Sequence, residues 1–122
     1  MKSLLRLEEL AMTAAGLYAI AKYGPELSPW VWALLFFAPN LGMLGYLIDT
    51  RVGAWLYNIF HHKGIALLVA GIGFCVALPW LIASGFLLFS HASFDRILGY
   101  GLKYGDSFKH THLGWLPNGK ER

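Results

Sequence analysis

The sequence predicts an all-α protein: a four-helix transmembrane bundle with its N- and C-termini on the cytoplasmic side. Three observations carry this expectation. Of the 122 residues, 57% are hydrophobic and 14% charged, with a mean hydropathy of +0.50. Polar side chains are therefore too few to coat a water-soluble domain of this size. The apolar residues also come in long blocks, the pattern of membrane spans. Between the blocks stand turn formers, namely Gly24-Pro25 through Pro29, then Asp49-Thr50-Arg51, then Leu78-Pro79. The same composition excludes intrinsic disorder, a nucleic-acid module with a basic face and, with Cys75 alone, an internal disulfide framework.

The first block, about residues 4–23, superficially resembles a secretory signal. Arg6, Glu8 and Glu9 interrupt it and no small-residue cleavage site follows, so it is expected to remain as helix 1. Helix 2 is expected over about 30–48. After Arg51, nearly everything to Tyr104 has helical potential. A single span over 64–90 would put the two ends on opposite sides, whereas a break at Leu78-Pro79 gives helices over about 52–77 and 80–102. The positive-inside rule favours the break, because Lys2, Arg6 and Arg51 then share a side with Arg96, Lys103, Lys109, Lys120 and Arg122. Pro79 suits a first helical turn. Lys63 then falls inside helix 3 and must snorkel, pair or face water. The whole chain, 1–122, reads as one membrane domain with a polar tail over 105–122.

Depth counted at about 1.5 Å per residue sets Glu8, Asp95, Asn40, His61 and His91 within one layer in the cytoplasmic half of the bundle. Polar groups at that depth avoid lipid, so a shared interior is the economical arrangement. His91 and Asp95 are four apart on one helical face, and Tyr57 and His61 repeat the spacing. Imidazole and carboxylate groups on facing helices are a common way for a bundle to hold a metal, and His110 and His112 in the tail stand where they could close over it. No His-Glu-x-x-His or paired Cys-x-x-Cys is present. The same groups suit metal-free proton transfer.

Each residue also has a plain structural reading. Glu8 and Glu9 suit a helix N-terminus. Asn40 after Pro39 suits repair of a kink. His62 and Lys63 suit an interface, His91 with Asp95 an interhelical clasp, His110 and His112 an exposed tail, and Cys75 a small core position. Gly101 and Gly105 suit flexibility at a helix end.

The runs Arg6-Leu7-Glu8, Ala38-Pro39-Asn40-Leu41-Gly42 through Tyr46, and Arg51-Val52-Gly53 leading to Tyr57-Asn58-x-x-His61 occur in order with His91-x-x-x-Asp95-Arg96-x-x-Gly99-Tyr100-Gly101-Leu102-Lys103-Tyr104, Phe108 and Thr111-His112-Leu113-Gly114. Together they span nearly the whole chain and resemble the DUF4260 family of small bacterial integral membrane proteins. The resemblance implies a short multi-helix protein of the bacterial inner membrane and carries over Glu8, Asn40, His61, His91, Asp95 and His112. In that family the position of Asn40 is commonly aspartate, so asparagine withdraws an anionic ligand here. Tyr57, Tyr100 and Lys103 join as hydrogen-bond donors or anion contacts for substrate.

The leading expectation is a membrane-embedded enzyme acting on a lipophilic small molecule by metal-dependent hydrolysis. His61, His91, Asp95 and His112 would hold one divalent ion, with Glu8 and Asn40 beside them. The alternatives are a metal-free acid–base isomerase or cyclase in the same pocket, and a non-catalytic subunit or carrier. Expected partners are the lipid bilayer and further copies of the chain, and no nucleic acid.

Overall fold

Gly24 and Pro25 stop the first helix where the sequence places its end. In a computed structural model, which describes residues 1–107 and 109–116, α1 spans Lys2–Tyr23. The Ser28 side chain accepts the N–H of Trp30 at 3.3 Å and so starts α2, Pro29–Phe36. A 3₁₀ segment, Ala38–Leu47, follows, then α3 (Thr50–Phe60), α4 (Lys63–Cys75) and α5 (Pro79–Ile97). The tail closes with a small antiparallel hairpin of β1 (His110–Thr111) and β2 (Gly114–Trp115). Expectations for Phe108 and for residues 117–122, including Lys120 and Arg122, lie outside the described residues.

The core is helical, as the sequence predicts, but three expected helices are redrawn. The one expected over 30–48 changes winding at Phe37. Pro39 has no N–H and its ring obstructs the carbonyl four residues back, so the chain tightens into 3₁₀ turns. The one expected over 52–77 breaks at His61-His62 with a bend of 47°. No proline marks this break. Instead the His62 Nδ1 accepts the N–H of Ile65 at 3.2 Å and caps the start of α4. The one expected over 80–102 stops at Ile97. Gly99, with φ of 95°, takes the left-handed position. Tyr100 N–H then reaches the Asp95 carbonyl at 2.9 Å, and Gly99 N–H the Arg96 carbonyl at 3.2 Å, a Schellman ending.

Helix α5 packs against both α1 and α4, while α3 packs on the 3₁₀ segment. These contacts are made through small residues. A side chain added at Gly85 of α5 would strike the backbone of Ala66 and Ala70 on α4, and one at Gly16 of α1 would strike Ser90 on α5. Such contacts let the helix backbones approach closely. The outside is correspondingly apolar, with Leu34, Leu41, Leu47, Trp55 and Leu68 exposed. The inside holds Thr13, His61, Ser90, His91, Ser93 and Asp95, all buried. Cys75, expected in the core, is exposed.

Among the described residues one helical stretch, Pro29–Leu47, is long and apolar enough to cross a membrane. The bent pair α3 and α4 makes a second if counted as one broken span. Only 17% of the Pro29–Leu47 window is buried within the protein, so most of its apolar surface faces outward.

Replacing Gly85 by valine should force α4 and α5 apart and lower stability by about 1–3 kcal/mol. Thermal unfolding in mild detergent, followed by circular dichroism, is the check. The outward-facing Leu68→Val serves as comparison and should stay within about 0.5 kcal/mol of the parent.

Candidate metal centre

Tyr57 and His61 come from the end of α3, with His61 as the residue that caps it, and His91 and Asp95 come from successive turns of α5. Three ligand atoms meet. His61 Nε2 lies 3.1 Å from Asp95 Oδ2 and 3.1 Å from His91 Nε2, and His91 Nε2 lies 3.5 Å from Asp95 Oδ2. Asn40 Oδ1, brought in by the 3₁₀ segment, is 3.1 Å from His91 Nε2. A tetrahedral ion with bonds of about 2.0–2.1 Å sets its ligand atoms about 3.3 Å apart, so this triangle has the dimensions of one face of a metal site. Two nitrogens and a carboxylate oxygen suit a divalent transition metal such as Zn²⁺ or Fe²⁺.

The proton inventory points the same way. His61 Nδ1 is 2.9 Å from the Tyr57 backbone carbonyl, which can only accept, so the His61 proton sits on Nδ1 and Nε2 presents a lone pair. The nearby Asp95 Oδ2 is an acceptor too, and receives the Tyr57 hydroxyl at 3.2 Å. His91 Nε2 carries at most one proton for Asn40, His61 and Asp95 together. With both imidazoles neutral and Asp95 ionised, the centre is anionic and short of donors at a buried position, where unanswered acceptors are costly. A cation, whether a metal ion or an added proton, removes the deficit.

The surroundings fix the geometry. The Tyr57 ring stacks on the His61 imidazole, with centroids 3.8 Å apart and planes within 7°. Phe36 and Phe37, on either side of the change in winding, set their rings edge-on to His91 at 5.3 and 6.2 Å. These rings and the complete burial of His91 keep bulk water from that side.

A family model described as a domain of unknown function, DUF4260, matches residues 2–116. The chain belongs to the DUF4260 family. No curated protein and no solved structure matches it.

Of the residues that the DUF4260 resemblance carries over, His61, His91, Asp95 and Asn40 converge, with Tyr57 against them. Glu8 does not join them: it is exposed on α1. Its neighbour Glu9 turns inward instead and binds Lys63 Nζ at 2.7 and 3.0 Å, which answers how Lys63 is accommodated. His112 is also outside the cluster. Its Nδ1 accepts the N–H of Leu102 at 2.8 Å, and its side chain lines a separate cavity. Burial and the Arg96 charge hold its pKa below the usual histidine value. His110 finds its own partners in the tail, Asp106 at 2.9 Å and the stacked Trp115 ring at 4.2 Å.

The tail of this DUF4260 member is held over the site by Asn58, the residue after Tyr57 in the Tyr57-Asn58-x-x-His61 run. Its Nδ2 donates to the Lys103 carbonyl at 2.8 Å and its Oδ1 accepts the Lys103 N–H at 2.6 Å. The clamp buries the Lys103 side chain to 4% exposure, with Nζ 4.5 Å from the Tyr57 ring centroid and 5.9 Å from that of Tyr100, itself half-exposed. Burial pulls the Lys103 ammonium down to about 8, against the opposing pull of the Asp95 carboxylate.

Because the unfolded lysine keeps its proton to pH 10.5 and the folded one releases it near 8, the unfolded chain binds more protons between those values. Stability should therefore rise with pH across that window, by on the order of 3 kcal/mol in the limit, and be flat below it. Urea unfolding of detergent-solubilised protein at pH 7, 8.5 and 10 should show this rise, and Lys103→Met should remove it.

Proposed function

We propose that this protein is a membrane-embedded, metal-dependent hydrolase of a lipophilic substrate. His61 Nε2, His91 Nε2 and Asp95 Oδ2 would hold one divalent ion and leave a position for water, with the Asn40 Oδ1 acceptor beside the set, 3.1 Å from His91 Nε2. The observation that carries the reading is the His61 lone pair, fixed by the Nδ1–H bond to the Tyr57 carbonyl and facing a carboxylate oxygen 3.1 Å away. Two acceptors held that close in a buried position favour a cation between them. When bound, such an ion lowers the pKa of a coordinated water to about 7 and polarises a substrate oxygen.

The chain's own groups divide the remaining work. Tyr57 sets both ligands, through its carbonyl to His61 and its hydroxyl to Asp95. Phe36 and Phe37 screen His91 from water. Lys103, near the Tyr57 ring, supplies positive charge where a substrate oxygen gains negative charge. The outward apolar surface supports contact with a bilayer, from which substrate arrives, and the distribution of lysine and arginine along the chain supports an inner-membrane, multi-pass placement with both ends cytoplasmic.

A second reading rests on the hydrogen bond from Tyr57 to Asp95 and the contact from Asp95 to His61. With His61 protonated, that chain transfers protons without a metal, as an isomerase or cyclase requires.

Elemental analysis after purification in mild detergent should find one divalent ion per chain. His91→Ala and Asp95→Asn should lose it while helical circular dichroism persists, and Tyr57→Phe, which keeps the ring stack, should weaken metal affinity by about 10- to 100-fold. Wild-type protein that takes up neither Zn²⁺ nor Fe²⁺ on titration overturns the metal reading in favour of the acid–base one.

A further inference from the structure

Next to the metal centre lies a second space, a cavity of about 340 Å³, within the range that holds small ligands. It forms where the start of α1 meets the end of α5 and the turn of the hairpin. Lys2 and Arg6 reach it from α1, Arg96 from the last turn of α5 and His112 from the tail. Glu9 is the acid in this wall, and it is already committed to Lys63 at 2.7 and 3.0 Å. Among the described residues neither Lys2 nor Arg6 makes an ion pair. Arg96 donates to the His61 backbone carbonyl at 3.4 Å, a neutral acceptor that leaves its charge unanswered. The first turn of α1 adds to the imbalance, for it has no acidic residue and no side-chain cap. Three cations gathered in one concavity repel one another, and an anion placed among them relieves that repulsion.

The remaining wall says what the anion is attached to. Leu5 and Leu113 line the same cavity and are themselves about half-exposed, so the space opens beside apolar surface. From this juxtaposition we infer that the cavity binds the anionic head group, a phosphate or carboxylate, of an amphiphile whose hydrocarbon leaves past Leu5 and Leu113. Arg96 joins the two sites. It follows Asp95 in sequence, lines the cavity and bonds to the backbone of His61. The amphiphile held there is the substrate class of the neighbouring centre, a statement that rests on the proposed hydrolase. The head-group site itself does not.

The test titrates purified protein in a neutral maltoside detergent with dodecyl phosphate and, separately, with inorganic phosphate, reading binding by calorimetry and native mass spectrometry. One dodecyl phosphate should bind per chain. Binding should fall by roughly tenfold or more in Lys2→Gln/Arg6→Gln, because charge-assisted hydrogen bonds are lost. It should be unchanged in Lys22→Gln/Arg51→Gln, which removes equal charge elsewhere. Inorganic phosphate that binds as tightly as dodecyl phosphate assigns the site to a free anion and overturns the amphiphile. No binding, or equal binding by the two double variants, overturns the site. Both variants retain His61, His91 and Asp95. Wild-type protein that takes up metal but binds no dodecyl phosphate counts against this inference alone, and head-group binding by protein that takes up no metal counts against the hydrolase alone.

Discussion

A single hydrogen bond, from His61 Nδ1 to the carbonyl of Tyr57 one turn earlier, governs the chemistry of the interior. It consumes the proton of a neutral imidazole and turns the lone pair of the other nitrogen toward Asp95 and His91. In water such a lone pair would be met at once. Here the side chain is 4% exposed and flanked by aromatic rings, so the nearest groups must answer for it. The surplus of acceptors is thus a consequence of where α3 ends. One further α-helical residue would carry the ring of His61 onward around the helix, and the lone pair would point elsewhere.

The packing explains how so many polar groups can sit together. Large aliphatic side chains lie on the outside, and helix contacts are made by glycine, alanine and serine, so the backbones of α1, α4 and α5 come close. Close backbones leave room inside only for short or flat side chains. Ser90 illustrates the result: its hydroxyl crosses to the carbonyl of Thr13 on α1 at 3.1 Å, tying two helices with one bond. The Glu9 to Lys63 pair ties α1 to the start of α4 in the same way, just past the bend that delivers His61.

Much of the centre was legible because its spacing is regular. Tyr57 with His61 and His91 with Asp95 each repeat at four residues, and depth along a helix placed Asn40 level with them. Glu8 was misplaced by one residue. Neighbours on a helix differ by about 100° in direction, and burial of Lys63, not the pattern of α1 itself, decides which glutamate turns inward. The break at His61-His62 carries no proline and depends on a histidine acting as a cap, a role that sequence patterns rarely assign to it. The contact of Asn58 with Lys103 has no signature in the sequence, because its partner is a backbone 45 residues away and no local period points to it. The early stop of α5 did have a marker in Gly99, two residues before the glycine weighed for that purpose.

The ten residues from Ala38 to Leu47 form an unusually long run of 3₁₀ winding, at about 2.0 Å per residue where an α-helix rises about 1.5 Å. With α2 they make a rod of about 30 Å, close to the thickness of a hydrocarbon layer, from only nineteen residues. Rewinding the run to an α-helix would shorten it by about 5 Å and rotate Asn40 away from His91. The pitch of this one segment therefore sets two lengths together: the reach of the rod and the gap between an amide oxygen and an imidazole.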